Sequence, residues 1–253
     1  MLTTCYQELA AIVSGDLEPL EAAKCVESHR LCWRPEVVHT VLLAESHVYT
    51  PAHELSEMTG PHNLATRPLP KVFARFVYCL GYGEPEFAGP DAPRTVGTPQ
   101  YWKLFASCAA PGLPEAFAPV LKGSNRRFLE RIRAKLLLLE RLRSLGVWLV
   151  DASAVGLYAT GGDRIHQAEY EKVLRCCWRN YSGKLVREAT PHSVVVIGKA
   201  VARVLHRELS GLPGITVHCV PQPQARCTAR EVADVHATLF KVCQQAALAR
   251  GAQ

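Results

Sequence analysis

Ser193-Val194-Val195-Val196-Ile197-Gly198-Lys199 is the stretch on which the fold turns. Four β-branched residues in a row leave no polar face, and the run is too short for a helix that could stand alone. Gly198 and Lys199 then pass straight into a helix-like pattern. A strand apolar on both faces that leads directly into a helix belongs in a parallel sheet covered by helices. Three other runs share this character: Val37-Val38-His39-Thr40-Val41-Leu42-Leu43-Ala44, Gly146-Val147-Trp148-Leu149-Val150 and Gly214-Ile215-Thr216-Val217-His218-Cys219-Val220. The expected fold class is therefore α/β, one doubly wound domain with a central four-stranded parallel sheet flanked by helices.

Each run ends in a polar cluster. These are Glu45-Ser46-His47, Asp151-Ala152-Ser153, Gly198-Lys199 and Pro221-Gln222-Pro223-Gln224-Ala225-Arg226. In open α/β sheets ligands bind outside the carboxyl ends of the strands, so function is expected at these four loops. Between the runs, helical spacing predicts helices over 3–14, 17–29, 71–80 and from Tyr101 onward. Further helices are predicted from an N-cap at Ser124 to Gly146, within 166–186, over 199–209 and after a cap at Thr228.

The 253 residues suit a single domain over 1–253, with 1–30 as an N-terminal helical extension. Hydrophobic residues make up 48% and charged residues 21%, which permits a full core. No apolar stretch approaches the roughly 18 residues of a membrane span. The N-terminus lacks the order of a signal peptide. A soluble, cytoplasmic protein without a membrane partner is expected; oligomeric state is left open. The ten cysteines contain no C-x-x-C spacing, so no metal site, cofactor or disulfide framework is expected. Cys79 and Cys219 lie in apolar runs and read as small buried hydrophobes.

Between Lys122 and Arg143 stand eight basic residues against Glu130 and Glu140, which accounts for the whole formal charge of +6. Such a stretch is either a solvated helix face or a nucleic-acid footprint, with Arg131 and Arg133 among its exposed cations.

Glu45 and His47 could position a water, or Ser46 could serve as a nucleophile with His47 as base. On a solvent-facing loop, either Glu45 or His47 should tolerate alanine with a stability change within about 1 kcal/mol. Asp151 either caps its turn or contacts a ligand. Gly198 and Lys199 either make a tight turn or bind phosphate. The 221–226 loop is stiffened by two prolines and offers Gln222, Gln224 and Arg226 as donors. Tyr49, Phe73 and Phe87 are placed to stack on a ligand or simply to pack.

These residues together resemble the uracil-DNA glycosylase superfamily, in a divergent form, over roughly residues 37–245. Ala44-Glu45-Ser46-His47-Val48 occupies the place of the first motif, and Gln222-Pro223-Gln224-Ala225-Arg226 that of the last. Val195-Val196-Ile197-Gly198-Lys199-Ala200 is similar to the family's third strand and glycine turn, and Tyr101-Trp102 also has a family look. The chain departs from the pattern in carrying Gln222 for the motif histidine, Ala44 for glycine, His47 for proline, and Asp151 where some members have asparagine. The resemblance implies hydrolysis of the N-glycosidic bond of a flipped, deaminated base in single- or double-stranded DNA. Glu45, His47 and Asp151 would then be catalytic. Ser46, Tyr49, Phe73, Gly198 and Gln222 would hold the base, and Lys199, Pro223, Gln224 and Arg226 the DNA. Two alternatives stand beside it: a catalytically silent nucleic-acid-binding or interaction module on the same fold, and a hydrolase of nucleosides or related metabolites.

Overall fold

The computed structural model describes residues 1–90, 93–111, 114–158, 164, 166–223 and 225–248. In chain order its elements are α1 (Leu2–Ile12), α2 (Leu20–Cys32), β1 (Thr40–Ala44), α3 (Pro85–Ala88), α4 (Pro99–Ala109), α5 (Pro114–Phe117), α6 (Phe128–Ser144), β2 (Val147–Asp151), α7 (Tyr170–Asn180), α8 (Ser182–Ala189), β3 (Ser193–Ile197), α9 (Lys199–Val204), α10 (His206–Ser210), β4 (Thr216–Val220) and α11 (Ala229–Leu248). Short 3-10 turns lie at Ala52–Glu54, His62–Leu64 and Ala118–Val120. Among the described residues, no helix is long and apolar enough to cross a membrane.

All four apolar runs contain strands, and these pair in parallel in the order β2-β1-β3-β4. Leu42 of β1 lies between Leu149 of β2 and Val195 of β3. Every residue of β1 and β2 is buried, which accounts for their unbroken apolar character. Helices flank this sheet, so the chain is a doubly wound α/β domain. The chain leaves β1 toward β2 on one side and later reaches β3 on the other. Connections that depart in opposite directions open a crevice at the carboxyl end of β1, where Glu45 stands.

β4 departs from the expectation of burial on both faces. It is an edge strand on which Thr216, Val217 and Cys219 are exposed, so Cys219 is not a buried hydrophobe, whereas Cys79 is. The opposite edge strand, β2, is wholly buried with α6 and α8 packed against it, so helix cover sets the difference, and apolar content alone does not reveal which edge is covered.

The segment 71–80 is not helical. Its amides bond to a distant loop rather than four residues back: Phe73 donates to the Ser56 carbonyl and Arg75 to the Thr50 hydroxyl, while its Lys71 carbonyl accepts from Met58. Tertiary pairing overrides the helical spacing of its apolar residues. Lys199–Val204 and His206–Ser210 are two short helices rather than one, broken at Leu205. The N-cap expected at Ser124 is also displaced, since α6 starts at Phe128 and the Ser124 hydroxyl donates to the Ala118 carbonyl. Thr228 does cap α11, in a reciprocal arrangement. Its Oγ1 accepts from the Glu231 amide at 3.2 Å, and the Glu231 carboxylate accepts from the Thr228 amide at 2.7 Å.

The basic helix α6 is not a wholly exposed cationic face. Arg131 and Lys135 are buried and both bond the carboxylate of Glu84, Arg131 at 2.8 and 2.5 Å and Lys135 at 2.7 Å. The ammonium of Lys135 also sits 4.6 Å from the centre of the Trp102 ring. Burial alone would raise the Glu84 pKa; its two cations reverse this and hold it below the usual value. Arg131 and Lys135 share the helix face of Ile132, Leu136 and Leu139, whereas Arg133 is exposed. Glu84→Gln should lower stability by about 3–5 kcal/mol, because it leaves two buried cations uncompensated. Arg133→Ala should stay within about 0.5 kcal/mol. Urea unfolding of the two variants tests this, and equal, small losses would mean that the cluster is solvated.

Candidate functional site

Glu45 follows β1, where the parallel pairing runs on past the strand: Ala152 and Ser153 donate their amides to the carbonyls of Ala44 and Glu45. The Glu45 side chain is almost entirely buried. Its carboxylate accepts from Gln222 Nε2 at 2.7 Å, from Arg164 Nη2 at 2.8 Å and from the hydroxyls of Tyr158 and Tyr170. Arg164 lies over the Tyr170 ring at 4.1 Å and donates to the Tyr158 hydroxyl at 2.9 Å. Four donors match the roughly four acceptor positions of a carboxylate. Burial and the adjacent Glu45 charge push both tyrosine pKa values up, so both hydroxyls remain neutral donors.

His47 points the other way, into a buried chain of charges. Its Nε2 bonds Glu18 at 2.7 Å and its Nδ1 bonds Asp151 at 3.1 Å. Asp151 in turn accepts from Arg30 at 2.7 Å, and Arg30 reaches Glu27 at 2.5 Å and the Tyr181 hydroxyl at 2.7 Å. Glu18 also accepts the amides of Thr50 at 2.7 Å and Gly156 at 2.8 Å. Burial pulls the His47 pKa down, but the charges of Glu18 and Asp151 outweigh it and raise the value to about 9. Asp151 shows the opposite balance. Burial pushes its pKa up, and His47 with Arg30 brings it below the usual carboxylate value. His47 is thus an imidazolium with both N–H groups engaged, and it has no free nitrogen to take a proton from water or from Ser46. The Ser46 hydroxyl instead accepts the Leu157 amide at 3.2 Å.

A cavity of about 560 Å³ opens at these strand ends. Glu45, Ser46, His47, Asp151 and Gln222 line it, so the structure brings these five expected residues together. Phe76, Tyr101 and Tyr158 supply aromatic surface, with Tyr101 and Tyr158 only half-buried. Burial, with the charges of Asp151 and Glu45, pushes the Tyr101 pKa up. A second depression of about 460 Å³ adjoins at Gln222 and is lined by Lys199, Cys219, Arg226 and Val235. Gly198 lines neither hollow. It adopts φ +121°, and a Cβ there would meet Gln222 Cγ at 3.0 Å, so the glycine makes room for Gln222.

Other expected site residues lie elsewhere. Phe73 is fully buried against Tyr82, and Phe87 is buried against His62, so neither presents a face to a ligand. Tyr49 lines neither hollow; its backbone amide braces the Tyr158 carbonyl at 2.9 Å. Pro223 also lines neither, and Gln224 lies outside the described residues. Sequence reasoning missed Glu18 and Arg30, which come from the presumed extension, and Tyr158, Arg164 and Tyr170. The loop after the second strand was the available signal for Tyr158, since it is itself a strand end. Nothing local marks Glu18.

No family model matches the chain, and no curated protein matches it.

The surroundings of Glu45 and His47 overturn the expectation of a solvent-facing loop indifferent to substitution. His47 gains proton affinity on folding. Its contribution to stability is therefore complete below its ordinary pKa of 6.5 and is lost as pH rises through about 9. His47→Gln should destabilise the protein most at pH 5–6, with the difference from wild type shrinking toward pH 9 to 10. Denaturant titrations across that range check the sign, and a difference that grows with pH would contradict a charged His47.

Proposed function

We propose that the cavity receives a nucleobase displaced from a nucleic-acid strand, and that the chain acts as a base-recognising module. The observation that carries this reading is the convergence of Glu45, Asp151 and Gln222 with the half-buried ring of Tyr101 in one hollow at the strand ends. A flat polar heterocycle needs an apolar ring for its face and fixed polar groups for its edge. The adjoining depression, with exposed Lys199 and Arg226, supplies cations where a backbone phosphate would follow. This reading agrees with the resemblance to the uracil-DNA glycosylase superfamily and puts binding ahead of cleavage. His47 is doubly engaged and the Glu45 oxygens are filled by four donors, so neither is free to deprotonate a water.

Hydrolysis of the N-glycosidic bond is the second reading, and the place of Glu45 on the cavity wall favours it. An anion there would stabilise the positive charge that develops on a sugar as its base departs. In that case Glu45 acts through its charge.

Oligonucleotides carrying uracil, hypoxanthine or xanthine distinguish the two. Binding is followed by fluorescence anisotropy at several salt concentrations, and base release by alkaline cleavage of abasic sites. The expected result is salt-dependent affinity with a preference for one modified base and no strand cleavage. Tyr101→Ala should reduce that preference about tenfold, on the scale of one lost stacking contact. Arg226→Ala should flatten the slope of log K against log salt by about 0.9, on the scale of one lost phosphate contact. Base release abolished by Glu45→Gln would establish the hydrolytic reading instead. Turnover of free nucleosides without affinity for any strand would exclude both and leave a metabolite hydrolase.

A further inference from the structure

The basic stretch over 122–143, which accounts for the net charge of the chain, is only partly used by the fold. Arg131 and Lys135 are engaged inside with Glu84. The two acids of the stretch are engaged as well. Arg127 bonds Glu130 at 2.8 Å, while Arg67 Nε and Thr66 Oγ1 bond Glu140, each at 3.0 Å. Arg126, Arg133 and Arg141 remain exposed and make no hydrogen bond or ion pair with any described residue. None of them lines either hollow at the strand ends, so base binding does not call on them.

The helix sets two of these cations in line with two leucines. Leu129, Arg133, Leu137 and Arg141 stand four residues apart, so their side chains form one ridge along the outside of α6. Leu137 is 72% exposed and Leu129 49% exposed. Ile132, Leu136, Leu139 and Leu142 are buried on the inner side, so the leucines of the ridge are surplus to the core. A lone exposed leucine is ordinary on a protein surface. Two on one ridge, with an arginine one turn before Leu137 and another one turn after it, make a helix-packing surface about 18 Å long. The Glu84 cluster anchors α6 from beneath, so docking on this ridge costs little ordering of the helix.

We infer that the outer face of α6 is a docking site for an acidic amphipathic helix of a partner protein. The inference is independent of base binding. Such a helix presents apolar side chains to Leu129 and Leu137, and carboxylates to Arg126, Arg133 and Arg141. A ridge of residues four apart seats in the groove between the ridges of a second helix. The sign of the unpaired charge selects the partner and speeds its encounter. A second copy of this chain would bring the same cations face to face, at a cost in repulsion. A bilayer surface asks for a broad apolar face, and the broad apolar face of α6 is turned to the core. A nucleic-acid backbone would engage the arginines but leave Leu137 against phosphate, where it gains nothing. Of these occupants, the acidic helix alone uses both residue types.

The probe is a fluorescent, stapled helical peptide of about 18 residues, with leucine at every fourth position and glutamate on either side of that row. The staple is needed because an isolated helix of this length is marginal in water. One control carries lysine in place of glutamate, and another has the same composition with its leucines scattered around the helix. Fluorescence anisotropy with the full chain should show the acidic peptide binding at least about tenfold more tightly than either control, and more weakly as salt is raised. Arg133→Glu combined with Arg141→Glu should transfer the preference to the lysine peptide, an exchange that misfolding cannot produce. Leu137→Ser should weaken binding about tenfold without changing its salt dependence. Leu248→Ser, at a similarly exposed leucine on α11, should leave binding unchanged.

Equal binding of the acidic peptide and either control, or indifference to Leu137→Ser, would overturn the docking site. Vesicles containing phosphatidylserine and an unmodified DNA duplex are run beside the peptide. With the peptide unbound, vesicle binding that Leu137→Ser abolishes would make α6 a membrane surface, and duplex binding that the arginine reversals abolish would make it a nucleic-acid footprint. Either result replaces the docking site and leaves base binding in the cavity to its own test.

Discussion

The chain of buried charges Glu18, His47, Asp151 and Arg30 is the constraint on which the rest of the site depends. It lies directly under the carboxyl ends of β1 and β2, and each member is compensated by the next. Charges in a low-dielectric interior are tolerable only when paired with good geometry, and removal of one leaves its neighbour exposed to the full cost of burial. The network is also a set of ties. Glu18 holds the amides of Thr50 and Gly156, so one carboxylate from the segment before α2 fixes both loops that follow the two strands. Arg30 then fastens α2 to Asp151 and, through Tyr181, to the junction of α7 and α8. The floor of the cavity is consequently tied to α2 and to both strand-end loops.

Glu45 forms the second centre. It gathers Tyr158 and Arg164 from beyond β2, Tyr170 from the start of α7 and Gln222 from beyond β4. Segments distant in sequence meet at one anion because a parallel sheet brings every strand's carboxyl end to the same edge. Gln222 lies where the two hollows meet, and its room is set by Gly198. In the proposed function, Gln222, anchored through Nε2 on Glu45, turns the rest of its side-chain amide to the edge of a base while Tyr101 covers its face. A preorganised site of this kind favours recognition over proton transfer, since its acid–base groups are already saturated.

β1, β2 and β3 were legible because burial on two faces demands apolar residues with few interruptions, whereas β4, mostly exposed, was legible from its β-branched content and its bounding turns. Their polar ends were legible for the complementary reason, that a chain leaving the sheet toward solvent or ligand must change character abruptly. Glu45, Asp151 and Gln222 could thus be placed at one edge before any contact was known. The stretch 71–80 misled because its apolar spacing is that of a helix, while its hydrogen-bond partners at 50–58 are remote in the chain. Arg131 and Lys135 misled because a basic residue on the apolar face of α6 looks like one on the polar face until Glu84 is found opposite.

The sequence by itself determined the fold class, the four strands, the edge at which ligands are sought and the cap of α11. Each of these depends on residue character repeated over neighbouring positions, which a linear reading can see. Tertiary structure alone decided that His47 is a charged bridge, and that Phe73 and Phe87 are packed while Tyr101 and Tyr158 face the hollow. Those outcomes depend on single partners across more than twenty residues of chain, such as Glu18 for His47, and on which side of a ring is left uncovered. Local pattern carries no information about either, because a buried ionisable group and an exposed one have the same name in sequence and differ only in what lies opposite.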